Sequence, residues 1–149
     1  LDGRPRPVHL AHGGEVIRWD RTTEWVEKNL VNRAHDVDEP CGADRVEVTG
    51  LHELEPILCR RYTVAPGGSA RLDTRGTLNV LNLVAGAEAV VRSPGGVFEP
   101  LTVHYAETFI VPAAVGAYEV RPAAGCEGPI MFVRASVRGT EGGHHDEEG

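Results

Sequence analysis

From Arg45 onward the chain is a succession of short apolar or alternating runs, none longer than eight residues, and this constrains the fold more than any other feature. The runs fall at residues 46–48, 57–64, 70–73, 78–84, 87–92, 98–103, 108–111, 117–120 and 130–136. Gly and Pro interrupt them at 66–68, 94–96 and 125–129. Such runs are too short for helices, and the interruptions supply the backbone freedom that tight turns need. Many short strands with regular turn signals predict an all-β sandwich or barrel.

The part before Arg45 reads differently. Residues 1–10 are rich in Pro and Arg and predict a connector, since Pro5 and Pro7 lack N–H donors and restrict their predecessors. Gly13 and Gly14 weaken any helix over 11–19, while Val16, Ile17 and Trp19 can pack one face of a short turn. Thr22 or Thr23 can cap a helix running to Leu30, with Trp25, Val26 and Leu30 on one side. Residues 32–44 are polar, contain Pro40 and Gly42, and read as a loop. The expected organisation is a linker and N-terminal extension over 1–44, one barrel domain over 45–138 and a flexible acidic tail over 139–149. At 149 residues the chain is long enough for one well-formed core.

Charge and cysteine usage exclude several partners. The net charge of −7 and the single lysine, Lys28, disfavour a nucleic-acid surface, which needs clustered cations. No apolar run is long enough to span a bilayer, and the N-terminus lacks a signal-peptide pattern. Cys41, Cys59 and Cys126 are odd in number and widely spaced, which predicts reduced thiols rather than a disulfide framework or a zinc knuckle. A cytoplasmic protein with no membrane or nucleic-acid partner is expected.

Two segments carry a family resemblance. Residues 66–86 read PGGSARLDTRGTLNVLNLVAG, and residues 106–120 read AETFIVPAAVGAYEV. Their punctuation resembles the two conserved stretches of a cupin, which implies a double-stranded jelly-roll barrel preceded here by a short irregular or helical segment. Cupins use these stretches to bring two His, a Glu and a third His onto one divalent ion. In this chain the first His pair falls on Leu72 and Thr74 or on Asp73 and Arg75, the Glu on Asn79 and the last His near Ala117. Only Asp73 is a usable ligand, so no metal is expected in this barrel.

A narrower resemblance covers nearly everything except the tail. LDGRPRPVHL followed by GEVIRW is similar to the linker that enters the C-terminal cupin of short bacterial class I mannose-6-phosphate isomerases. ILCRRYTV, LNVLNLVAGAEAVV and LTVHYAETFIVPAAVGAYEV then follow in the order of that domain's strands. Those enzymes interconvert an aldose and a ketose phosphate through an enediol with a divalent metal, usually zinc. Their metal ligands, a Gln-x-His pair, a Glu and a later His, lie in the N-terminal cupin, and a catalytic Arg lies just before the linker. The resemblance therefore implies the half of the enzyme that has neither zinc nor catalytic residues, with zinc expected in a full-length parent.

Among individual residues, His9 occupies the linker His of that family and reads as a hydrogen-bonding anchor. His35, Asp36, Asp38, Glu39 and Cys41 form an alternating cluster that reads as a solvated acidic loop, and His144 and His145 sit in the tail. Arg60, Tyr62, Asp73, Arg75, Asn79 and Tyr118 are the candidate ligand-binding set, because polar residues at alternate strand positions can face a barrel interior. Their other reading is an internal hydrogen-bonded network or outward-facing strand residues. Three functions follow: a non-catalytic isomerase-type cupin domain partnered by an N-terminal catalytic cupin, a free-standing module binding a sugar or sugar phosphate without turnover, and a small metal-dependent cupin enzyme with unrecognised ligands. The missing His and Glu positions put the third last. A symmetric homodimer is expected where the first partner is absent.

Overall fold

The computed structural model describes residues 3–31, 33–50 and 55–139, and the tail histidines His144 and His145 lie outside them. The chain divides between Val31 and Asn32 into two compact units, where the sequence suggested one domain beginning at Arg45.

Among the described residues the first unit holds two short helices, α1 (Leu10–Val16) and α2 (Thr23–Asn29), neither of which has a buried residue. α1 forms despite Gly13 and Gly14, and the Trp19 indole N–H donates to the Gly14 carbonyl at 3.2 Å. α2 starts where expected: Thr22 is its N-cap, and the hydroxyl accepts from the Trp25 N–H at 3.5 Å. The Arg21 guanidinium lies 3.7 Å from the Trp25 ring centroid, a cation–π contact on the same turn. His9 is exposed and precedes α1 without a side-chain cap, and its ring stacks on His12 at 6.0 Å.

Among the described residues the second unit has ten strands: β1 (His35–Asp36), β2 (Arg45–Val48), β3 (Ile57–Val64), β4 (Ala70–Asp73), β5 (Asn79–Ala85), β6 (Glu88–Arg92), β7 (Leu101–His104), β8 (Thr108–Val111), β9 (Ala117–Pro122) and β10 (Ile130–Val137). They form a six-stranded sheet in the order β1-β2-β3-β10-β5-β8 and a four-stranded sheet in the order β4-β9-β6-β7. All pairings are antiparallel. This is the two-sheet all-β architecture that the runs and turn signals predict, with β1 the one strand they did not indicate.

Parity along the strands decides what faces inward. In β10, Ile130, Phe132, Arg134 and Ser136 are buried while the residues between them are not. In β3 the same row is Leu58, Arg60, Tyr62 and Val64, and in β5 it is Asn79, Leu81 and Leu83. The other sheet contributes Ala70, Leu72, Ala89, Val91, Val103, Tyr118 and Val120 to one continuous core. Tyr62 and Phe132 stack at 5.0 Å between centroids, in register across β3 and β10. Burying a side chain such as Leu81 or Phe132 contributes about 1.5–3 kcal/mol, which is why the apolar row fixes strand register.

Gly86 is required where β5 gives way to β6. Its φ is +92°, and a Cβ there would lie 2.7 Å from Ile130 Cγ2 and 3.2 Å from Ile130 Cα, so both conformation and contact exclude a side chain.

Candidate functional site

The loop before β2 is not the solvated acidic loop that its composition suggests. Cys41 is 6% exposed and joins the core, and Glu39 turns its carboxylate against the inward rows of β3 and β10. The Tyr62 hydroxyl donates to Glu39 Oε2 at 2.9 Å, and Arg60 Nη1 donates to the same oxygen at 3.1 Å. Arg134 Nη1 stands 3.8 Å from Glu39 Oε1, and its guanidinium lies 5.4 Å from the Tyr62 ring centroid. One carboxylate thus ties a loop to two guanidiniums and a phenol. Asp36, by contrast, is exposed and pairs with Arg45 at 2.7 Å.

Arg134 connects this group to a second one, because its guanidinium also donates to the Tyr118 hydroxyl oxygen. That oxygen accepts in addition from Asn79 Nδ2 at 2.8 Å, and Asn79 Nδ2 reaches the Asp73 carbonyl at 3.3 Å. Asn79, Tyr62 and Tyr118 are at most 1% exposed, and Arg134 is 5%. A buried polar chain therefore crosses the barrel from Glu39 to Asn79. In a low-dielectric interior such groups are costly unless hydrogen-bonded, and Arg60, Tyr62, Asn79 and Tyr118 each make at least one such bond, although the Nε atoms of Arg60 and Arg134 are buried without one.

Of the six candidates, Arg60, Tyr62, Asn79 and Tyr118 join this chain. Asp73 and Arg75 do not. Both are exposed, and the Asp73 carboxylate accepts from the Arg75 backbone N–H at 2.6 Å, holding a turn in which Arg75 has φ of +49°. Their neighbours Leu72 and Thr74 take the inward positions of β4 and the turn that follows it, so Asp73 must face out. Glu39 and Arg134 are the members that the sequence pattern did not reveal.

Titration behaviour limits the chemistry. Burial pushes both interior phenols up, Tyr62 far above its ordinary range and Tyr118 to about 12, so neither is a phenolate base near neutral pH. Burial also raises the Cys41 thiol, which keeps it from acting as a thiolate nucleophile. The guanidinium, amide and phenol groups of the set are turned on one another and on Glu39 inside the barrel. The set offers no positioned pair for proton transfer.

The positions that would hold a cupin metal do not fit one. Leu72 is packed in the core, and the Thr74 hydroxyl donates to the Ala113 carbonyl at 2.8 Å. Asn79 donates to Tyr118, and Ala117 has no ligating atom. Among the described residues no three His, Cys, Asp or Glu side chains come together. The amide–phenol bond between Asn79 and Tyr118 occupies the meeting point of the two conserved stretches, so no reaction step through a bound metal is assigned to this chain.

Solved structures with a similar architecture include cupins. Mannose 6-phosphate isomerase from Bacillus subtilis matches with a TM-score of 0.61 and 9% identity over 91% of this chain, which spans 36% of that protein. A predicted oxalate decarboxylase from Thermotoga maritima matches at 0.53 and 14% identity over 73% of this chain and 95% of its own. A cupin-2 domain protein from Rhodospirillum rubrum matches at 0.54 and 14% identity, over 70% of this chain and 69% of its own. At these identities the likeness shows a cupin jelly-roll fold. No protein-family model matches the chain, and no curated protein matches it in sequence. Among the described residues no helix is long and apolar enough to cross a membrane.

Proposed function

We propose that this chain is an isomerase-type cupin domain of the mannose-6-phosphate isomerase kind, non-catalytic alone, that partners a metal-bearing N-terminal cupin in a longer parent. The observation that carries this reading is the Asn79–Tyr118 bond, which fills with an amide and a phenol the place where cupins gather a metal's ligands. The extent of the likeness to the Bacillus isomerase supports it as well. That match covers 91% of the chain, more than the unit from Asn32 onward can supply, whereas the Rhodospirillum cupin covers 70%. Moving a proton between adjacent sugar carbons needs a Lewis acid on the carbonyl and a positioned acid or base. In this proposal the partner domain provides both, with zinc as its metal. The three free cysteines support a reducing, cytoplasmic setting.

The buried chain of Arg60, Arg134, Tyr118 and Asn79 favours a second reading, a free-standing cupin module that holds a sugar or sugar phosphate without turnover. A coupled assay of mannose 6-phosphate conversion separates the two. The isolated chain with added zinc is expected to be inactive, and the product of the complete reading frame is expected to turn over. Zinc-dependent turnover by the isolated chain that survives further purification overturns both readings. A complete frame that encodes no Gln-x-His segment and binds mannose 6-phosphate without converting it selects the second.

A further inference from the structure

We infer that the seam between β7 and β8 is a binding site for a neutral one- or two-ring aromatic molecule, separate from the polar interior. A cavity of about 250 Å³ opens there, lined by Val91, Val97, Phe98, Leu101, Phe109, Ile110, Val111, Pro112 and Val115. Its floor is the core itself, since Val91 is 1% and Val111 is 4% exposed. Its rim is Val97, Leu101 and Ile110, each about half exposed or more. These strands are the outer edges of their two sheets, which is why the seam is open.

The lining selects the occupant. Every lining side chain is a hydrocarbon, so a charged group seated against it would lose water and gain no side-chain partner. The volume exceeds the roughly 150 Å³ of apolar cavities known to take benzene, and falls short of the roughly 300 Å³ at which drug-sized pockets begin. Phe98 and Phe109 offer ring faces and edges to an aromatic guest. A protein partner fits less well. A rim of three side chains is far below the roughly 800 Å² per partner that a stable interface buries.

Titration of the isotope-labelled chain with p-xylene and with indole, followed by methyl and amide NMR, tests the site. Saturable shifts are expected at Val91, Leu101, Val111 and Val115, together with a rise in melting temperature. Benzoate and mannose 6-phosphate are expected to produce neither. Val97→Asp places a charge on the rim and Leu101→Trp fills the opening; both positions are exposed enough to leave the fold intact, and each should weaken p-xylene binding at least tenfold. Linear shifts scattered over the surface, equal binding of benzoate, or unchanged affinity in both folded variants overturns the proposal. So does an oligomer whose interface, mapped by the same NMR signals, covers Val97 and Leu101 and which p-xylene leaves unchanged.

Discussion

Glu39 and Tyr62 are 23 residues apart in sequence and share a hydrogen bond of 2.9 Å inside the barrel. The same Glu39 oxygen accepts from Arg60, and the other oxygen faces Arg134, so removing the carboxylate charge leaves two largely buried guanidiniums without it. Glu39→Gln is expected to cost about 3 kcal/mol, because breaking a buried ion pair from one side exposes its partner's desolvation. Tyr62→Phe, which keeps the stacked ring and removes only one donor, is expected to cost about 1 kcal/mol. Urea unfolding of the two single variants and the double variant measures both costs and their coupling. Equal, small losses for both single variants would show that the carboxylate does not hold this group together.

The interior phenols predict an alkaline limit to stability. Burial raises Tyr118 from its ordinary 10.0 to about 12 and raises Tyr62 further. Between those limits the unfolded chain has lost protons that the folded chain retains, so the slope of stability against pH is negative. The contribution is complete below pH 10, is lost as pH rises toward 12, and continues to fall above it through Tyr62. Unfolding monitored by far-UV signal should coincide with the main rise in tyrosinate absorbance, and Tyr118→Phe should reduce the loss of stability between pH 10 and 12. Smooth tyrosinate formation by all tyrosines in a chain that stays folded would contradict this account.

The fold was more legible than the site, for a physical reason that Asp73 illustrates. Strand existence follows from apolar runs and turn residues, so all nine strands read from the sequence are present, several to the residue. Two-residue β1 carries no periodic signal to read. Which face a residue occupies depends on parity, and parity has to be anchored on the buried row. Anchoring β4 on Leu72 would have turned Asp73 outward, and anchoring β10 on Ile130 and Phe132 would have turned Arg134 inward. Glu39 had no such signal. It sits on a loop whose acidic neighbours are exposed, and only the fold brings it under Arg60 and Arg134.

The lack of a fitting ligand set has a direct consequence for metal content. The purified chain is expected to carry well under one equivalent of metal, since the inferred positions, Leu72 and Thr74 or Asp73 and Arg75 with Asn79 and Ala117, hold at most one usable donor, Asp73. Its melting curve should be the same with and without chelator. Elemental analysis beside paired melting curves checks both statements. One zinc or iron per chain, lost on chelation together with several degrees of stability, would require ligands other than these positions.

The last prediction concerns association through the outer face of the six-stranded sheet. Val80 and Val84 lie on the outward row of β5; Val80 is in register with Ile110 of β8 on one side and Ala135 of β10 on the other. Val84 is 39% exposed and the polar Asn82 stands between it and half-buried Val80, so this row presents a mixed apolar and polar stripe to solvent. A second sheet laid across the stripe buries it, and a two-fold axis lets identical stripes cover each other. We therefore expect a homodimer of the isolated chain in solution, held by this face. Val80→Lys with Val84→Lys should give monomers that keep the parent circular dichroism spectrum, because lysines brought together across a two-fold axis repel while neither position belongs to the buried row. Light scattering that finds the unmodified chain monomeric, or the double variant still dimeric, would assign the stripe to something other than self-association.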